Sequence, residues 1–81
     1  MAVMRILSAR GDTVVEWDSE KVETSDPEAL AAVREAERVF AEQRARGATA
    51  FKVEPGRSAV RIDEFDPKVQ QMVIVPRVAG G

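Results

Sequence analysis

Met72-Val73-Ile74-Val75-Pro76-Arg77-Val78-Ala79-Gly80-Gly81 closes the sequence, and its reading decides the fold. Met72 to Val75 is the densest apolar run in the chain. In a strand, successive side chains point to opposite faces, so this run is apolar on both. That suits a central strand covered at least in part on both sides. It also suits a strand with one exposed apolar face used for binding. Pro76 ends the run, and the chain continues to a pair of glycines. At a mean glycine usage near ~7%, two glycines in the last two positions arise by chance in roughly 0.5% of sequences. Domains more commonly finish in polar, ragged tails. The expected organisation is one domain over residues 1–76 and a flexible tail over residues 77–81.

With 81 residues, the chain is long enough for one thin core and too short for a deep, fully walled cavity. Apolar residues make up 44%, which argues against overall disorder. Twelve basic residues against fourteen acidic ones give a net charge of −2, without the basic excess that draws nucleic acid. Cysteine and histidine are both absent. That removes thiolate chemistry, disulfides, Cys/His zinc sites and the usual neutral-pH general base. No stretch reads as a signal peptide or reaches the ~18 apolar residues of a membrane span, so a cytoplasmic protein away from membranes is expected.

Outward from the closing run, the rest of the chain supplies partners for that strand. Ala2 to Ser8 reads as a first strand, with Met4 and Ile6 inward and Arg5 on the wetter face. Ala9-Arg10-Gly11-Asp12 is a turn. Thr13 to Trp17 is a second strand, rich in β-branched and aromatic residues, with Thr13, Val15 and Trp17 on one face. The short separation predicts an antiparallel hairpin. Asp18 to Ser25 reads as a polar connection in which Val22 touches the core. Ser25 or Asp26 then caps a helix that has Pro27 at its first position and Glu28 in its first turn. Ala29, Val33, Ala36 and Phe40 recur at helical spacing, flanked by Leu30 and Val39, up to about Arg46, and Gly47 ends the helix.

Thr49 to Glu54 alternates, with Phe51 and Val53 predicted inward and Lys52 and Glu54 outward. Pro55-Gly56 forms a type II turn. Ala59 to Asp63 alternates again, with Val60 and Ile62 inward, completing a second hairpin. Asp66-Pro67 is expected to open a single helical turn, and Phe65 to plug one edge of the core. Trp17 reads as packing and not as a ligand platform.

One helix of ~20 residues covers one face of a four- or five-stranded sheet. Two hairpins flank the helix, and the most apolar strand belongs in the middle, parallel to the first. This layout is α+β, in the order ββαββ(turn)β with one long helix on a mixed sheet, and it resembles the β-grasp fold of ubiquitin-like proteins. Pro76-Arg77-Val78-Ala79-Gly80-Gly81 is similar to the end of the small subunit of molybdopterin synthase and of the thiamine-pathway sulfur carriers, and more loosely to that of ubiquitin. Arg77 stands where the molybdopterin relatives often carry a second proline. The motif-level resemblance covers only Pro76 to Gly81.

The resemblance implies that an E1-like adenylating enzyme, using its own ATP, activates the Gly81 carboxylate. Glycine suits that role, since a Cβ would obstruct a narrow channel and glycine accepts whatever φ the channel imposes. Arg77, Val78, Ala79 and Gly80 would be read by that enzyme. Met72, Ile74 or Val75 would contribute an apolar partner patch, according to which face is outward. The acyl adenylate then passes to sulfide, giving a thiocarboxylate for a sulfur-accepting synthase subunit. Alternatively it passes to a cysteine and then a target lysine, giving an isopeptide that a deconjugating protease would cleave. Lys21, Lys52 and Lys68 are the side-chain amines available for self-linked chains. On this reading the protein is a carried substrate, not an enzyme, and binds no cofactor or metal itself.

A non-catalytic interaction module or small homodimer, with the helix or an edge strand as contact surface and an incidental Gly-Gly end, is the rival reading. Asp63, Glu64 and Asp66 could ligate a hard cation or serve a small enzyme. Their spacing lacks the oxygen-rich loop of a calcium site and no base or nucleophile accompanies them, so a solvated, turn-forming acidic loop is expected.

Overall fold

In a computed structural model, residues 1–77 are described. The elements are β1 (Ala2–Ile6), β2 (Thr13–Trp17), α1 (Ser19–Glu23), α2 (Pro27–Ala45), β3 (Thr49–Lys52), β4 (Val60–Ile62) and β5 (Gln71–Val75). The strands form one mixed sheet in the order β2-β1-β5-β3-β4. β5 is central, parallel to β1 and antiparallel to β3. This is the ubiquitin-like β-grasp topology.

The register assigns the faces. Met4 lies beside Met72 and Val15, Ile6 beside Ile74, Ala2 beside Trp17, and Ala50 beside Ile74 and Ile62. These residues share the face that α2 covers, and Met4, Met72 and Ile74 are its largest wholly buried side chains. Each such burial contributes roughly 1.5–3 kcal/mol relative to exposure. From the helix, Ala29, Ala36 and Phe40 are buried. The small Ala36 and Ala50 are wholly buried in the same core. Val33 and Val39, from the predicted stripe and its flank, are half-buried beside this core.

Asp26 caps α2 through its side chain, which accepts from the Ala29 amide at 3.1 Å, and Pro27 takes the first turn. The helix ends as the glycine predicts. Gly47, at φ +91°, donates to the Arg44 carbonyl and Ala48 donates to the Gln43 carbonyl, both at 3.0 Å. That pair of bonds is a Schellman cap. On the outer face Arg38 bridges Glu35 at 2.6 Å and Glu42 at 2.9 Å. Its hydrogen bond is the main cause holding the Glu35 carboxyl below the ordinary range. A lowered carboxylate favours the folded state above its unfolded titration range and loses that effect as pH falls through the folded one. At this exposure the contribution is small.

Several expectations are corrected. Asp18 to Ser25 is not a plain connection, because Ser19–Glu23 is helical, with the Asp18 carboxylate accepting from the Glu20 and Lys21 amides. Asp-Ser-Glu is an N-cap and first-turn signature that was legible and outweighed by polarity. Val22 does pack against the core. In β3 the phase is the reverse of that predicted, since Ala50 is buried under the helix and Phe51 points to the opposite face. A one-residue change of register flips every side chain, and here the pairing of Ala50 with Ile74 decides it. Val60 lies on the helix side by register yet is 51% exposed, beyond the helix's reach. Asp66-Pro67 opens no helix. It forms a β-turn in which Val69 donates to the Asp66 carbonyl and Lys68 to the Asp66 carboxylate.

Phe65 does plug the core. Its ring sits 5.5 Å from that of Trp17 and 5.8 Å from that of Phe40, contacts worth about 0.5–1.5 kcal/mol each beyond area burial. Trp17 is buried, and its indole nitrogen donates to the Pro67 carbonyl at 2.9 Å. The segment between β4 and β5 thus supplements α2 as cover for the sheet, with Val69 packed beside Phe65.

Truncating Phe65 to alanine should cost about 2–3 kcal/mol in urea unfolding, toward the lower end of core aromatic deletions because the residue is only half-buried. Ser25 is the one non-glycine residue with positive φ among those described, at 59°. Ser25→Gly should raise stability by about 0.5–1 kcal/mol in the same assay, since the left-handed region penalises a Cβ.

Candidate functional site

β5 carries the chain toward the Gly-Gly motif, and its position fixes where the chain leaves the sheet. The Leu7 amide donates to the Ile74 carbonyl at 3.0 Å and the Val3 amide to the Gln70 carbonyl at 2.9 Å, so β5 is held on its β1 side over its whole length. On the other side, Val75 pairs with Thr49 at the start of β3. The chain therefore leaves the sheet at Pro76 from between two strands. One end of the sheet holds this exit, the Ser8–Asp12 turn and the α2 C-terminus. The other end holds Ala2 beside Trp17, and Lys52 beside Met72.

Arg77 is exposed, and its side chain runs along the helix cap. A Cβ built on Gly47 would meet Arg77 Cδ at 3.2 Å, Cβ at 3.7 Å and Nη1 at 3.9 Å. Gly47 thus has two reasons to lack a side chain, its positive φ and the arginine laid across it. A guanidinium near the carbonyl end of a helix is also favourably placed against the helix dipole. Val78, Ala79, Gly80 and Gly81 lie outside the described residues.

The face of the sheet away from α2 has no layer over it among the described residues. Across its middle the register sets Val14, Arg5, Val73, Phe51 and Arg61 side by side. Val3 lies one pleat below Arg5 and Val75 one pleat above Val73 on the same face. Val14 is 40% and Val75 37% exposed, while Val3, Val73 and Phe51 are half-buried by their neighbours. Arg5 leans on Asp12 at 3.5 Å and Arg61 on Asp63 at 3.8 Å. The result is an apolar centre flanked by two arginines, continuous with the strand end that leads to Pro76.

This arrangement sorts the candidate patch residues. Met72 and Ile74 are wholly buried beneath α2 and cannot contribute to a surface, whereas Val75 is outward. Val73, Phe51 and Val3 belong beside Val75. The signal that identifies them is the parallel pairing with β1, because once Met4 and Ile6 are inward, Met72 and Ile74 must be inward too. Of the acidic loop residues, Asp63 and Asp66 are occupied locally. Asp63 accepts from Arg44 at 3.2 Å, and Asp66 caps its own turn. Among the described residues no group of three or more potential ligands is placed to hold a metal ion, and no helix is long and apolar enough to cross a membrane.

Comparison with protein-family models, curated proteins and solved structures finds no match.

Gly47→Ala should cost about 1–2 kcal/mol through its positive φ, plus whatever Arg77 loses in moving. In a double-mutant cycle with Arg77→Ala, the displaced side chain should account for a few tenths of a kcal/mol, and the φ penalty should remain. Denaturant midpoints for the four proteins measure both parts.

Proposed function

We propose that this protein is a ubiquitin-like carrier or modifier that works through the carboxylate of Gly81. The observation that carries the reading is the place of β5. The strand leading into Pro76-Arg77-Val78-Ala79-Gly80-Gly81 is the central, parallel strand of a β-grasp sheet, so a diglycine motif is joined to the most firmly held strand of the fold. An adenylating enzyme binding this protein would supply ATP and every catalytic group. It would receive the carboxylate on a rigid handle and attach AMP to it with release of pyrophosphate. The adenylate then acylates sulfide, or a cysteine and subsequently a lysine amine.

The exposed sheet face supports the same reading. Val3, Phe51, Val73 and Val75 offer an apolar contact beside the chain exit, and Arg5 and Arg61 give it a positive rim. A partner with an apolar patch edged by carboxylates would complement it. The same face would serve a simple interaction module, the rival class. The two differ in whether binding leads to chemistry at Gly81.

Incubating the full chain with candidate activating enzymes, ATP and sulfide, followed by intact mass measurement, tests the reading. The starting mass first establishes that Gly81 bears a free carboxylate. A gain equal to sulfur replacing oxygen marks thiocarboxylate formation, and addition of a second protein marks conjugation. A chain lacking Gly80 and Gly81 should fold with the same midpoint and show neither product. Equal activation of the truncated chain overturns the proposal. Val75→Asp should leave stability within about 0.5 kcal/mol and raise the KM for activation about tenfold or more, as expected for a lost apolar contact of ~1.4 kcal/mol.

A further inference from the structure

We propose that the end of the molecule from which the tail leaves is kept free of nucleophilic amines, so that an activated Gly81 acylates an acceptor on another molecule and not its own chain. The inference rests on Gly81 being the activated residue. What it adds is the class of acceptor, one acting in trans, and the feature of this chain that enforces it.

The sequence has three lysines, Lys21, Lys52 and Lys68. The sheet places all three at the end opposite the exit. Lys52 closes β3 beside Met72, on the helix-side face, with its ammonium 3.5 Å from Glu54. Lys21 is in α1, which follows directly on Trp17, and Trp17 pairs with Ala2 at that same far end. Lys68 lies in the turn that feeds into Gln71, the first residue of β5. The two loops meet there, since Gln70 Nε2 donates to Ser19 Oγ at 2.9 Å.

The cations around the exit are all arginines. Arg10 is in the turn beyond β1, Arg44 and Arg46 end α2, and Arg77 lies across Gly47. Guanidinium groups stay protonated and offer no lone pair for acyl transfer, whereas a lysine amine does so whenever it loses its proton. The exit end thus carries cations but no lysine amine.

Reach reinforces the chemistry. Six residues from Pro76 to Gly81 span at most roughly 20 Å when extended. Four strand steps from Val75 back to Gln71 already take about 13 Å, and Lys21 and Lys68 lie beyond Gln71. To meet Lys21 or Lys68 the tail would have to double back along the body over most of its length, which lowers their effective concentration at Gly81. Lys52 is the nearest along the strands but faces the helix side and is paired with Glu54.

The step to be avoided is simple. An unprotonated lysine Nζ attacks the Gly81 carbonyl carbon, and a C–N bond forms. The bond to the leaving group breaks, the leaving group departs with the electron pair, and the amine's proton passes to solvent. The product is a lactam, one water lighter than the free acid.

The test is run without any activating enzyme. The full chain is prepared semisynthetically with Gly81 as an aryl thioester and held at pH 9, and the products are separated by intact mass. The wild-type chain should yield the free acid by hydrolysis. Arg10→Lys and Arg46→Lys, two conservative changes at exposed positions near the exit, should each divert at least several-fold more of the thioester into lactam, with peptide mapping placing the link at the new lysine. Lactam formation by the wild-type chain overturns the proposal, as does hydrolysis of both variants in the wild-type manner. Because the thioester is made chemically, failure of every enzyme to activate Gly81 would count against the carrier reading alone.

Discussion

The parallel pairing of β1 with β5 is the constraint from which the rest of the structure follows. It sets Met4 beside Met72 and Ile6 beside Ile74, and that four-residue layer fixes which face of the sheet must be covered. The helix then has one place to go. Ala36 and Phe40 close its buried face onto that core, and Phe40 packs toward the segment carrying Phe65. A parallel pair needs a long crossover connection, and here that connection contains β2, α1, α2, β3 and β4. The final strand closes the core that all the intervening elements have prepared.

Much of this was legible because several local signals agreed. Asp26-Pro27-Glu28 and Gly47 bound the long helix at both ends, and Gly11 and Gly56 mark turns that the structure contains. Alternation separates the two faces of a strand but does not say which face the helix covers. Thr49 to Glu54 alternates, with Phe51 and Val53 opposite Lys52 and Glu54, yet the pairing of Ala50 with Ile74 sets Ala50 inward and Phe51 on the open face. The same ambiguity held for Met72 to Val75, and it was resolved by the neighbouring strand, not by the run itself. Short helices fail differently. Ser19–Glu23 is too brief for periodicity to register, and only its cap announces it.

The site was legible in a different sense. Pro76 to Gly81 can be read as a motif from the letters alone, but the setting from which it starts is three-dimensional. The contact of Arg77 with Gly47 joins positions thirty residues apart, and no spacing rule finds it. Glycine at a helix end is ordinarily explained by its cap. Only the fold shows that the same missing Cβ also leaves room for the first side chain beyond Pro76.

A central strand is also the right physical origin for a delivered carboxylate. An edge strand is paired on one side and frays with its end, whereas β5 is bonded to β1 and β3 and buries Met72 and Ile74 beneath the helix. Releasing its last residues would break ladder bonds on both sides and expose Ile74, so the point at which the tail begins is anchored in the core. Whatever conformations residues beyond Arg77 adopt, they begin from a fixed position and direction. On the proposed carrier reading, a partner that recognises the open face through Val73 and Val75 would also meet the point where the chain leaves the sheet, because both residues belong to the strand that leads to Pro76. Docking and delivery would then be one geometric event.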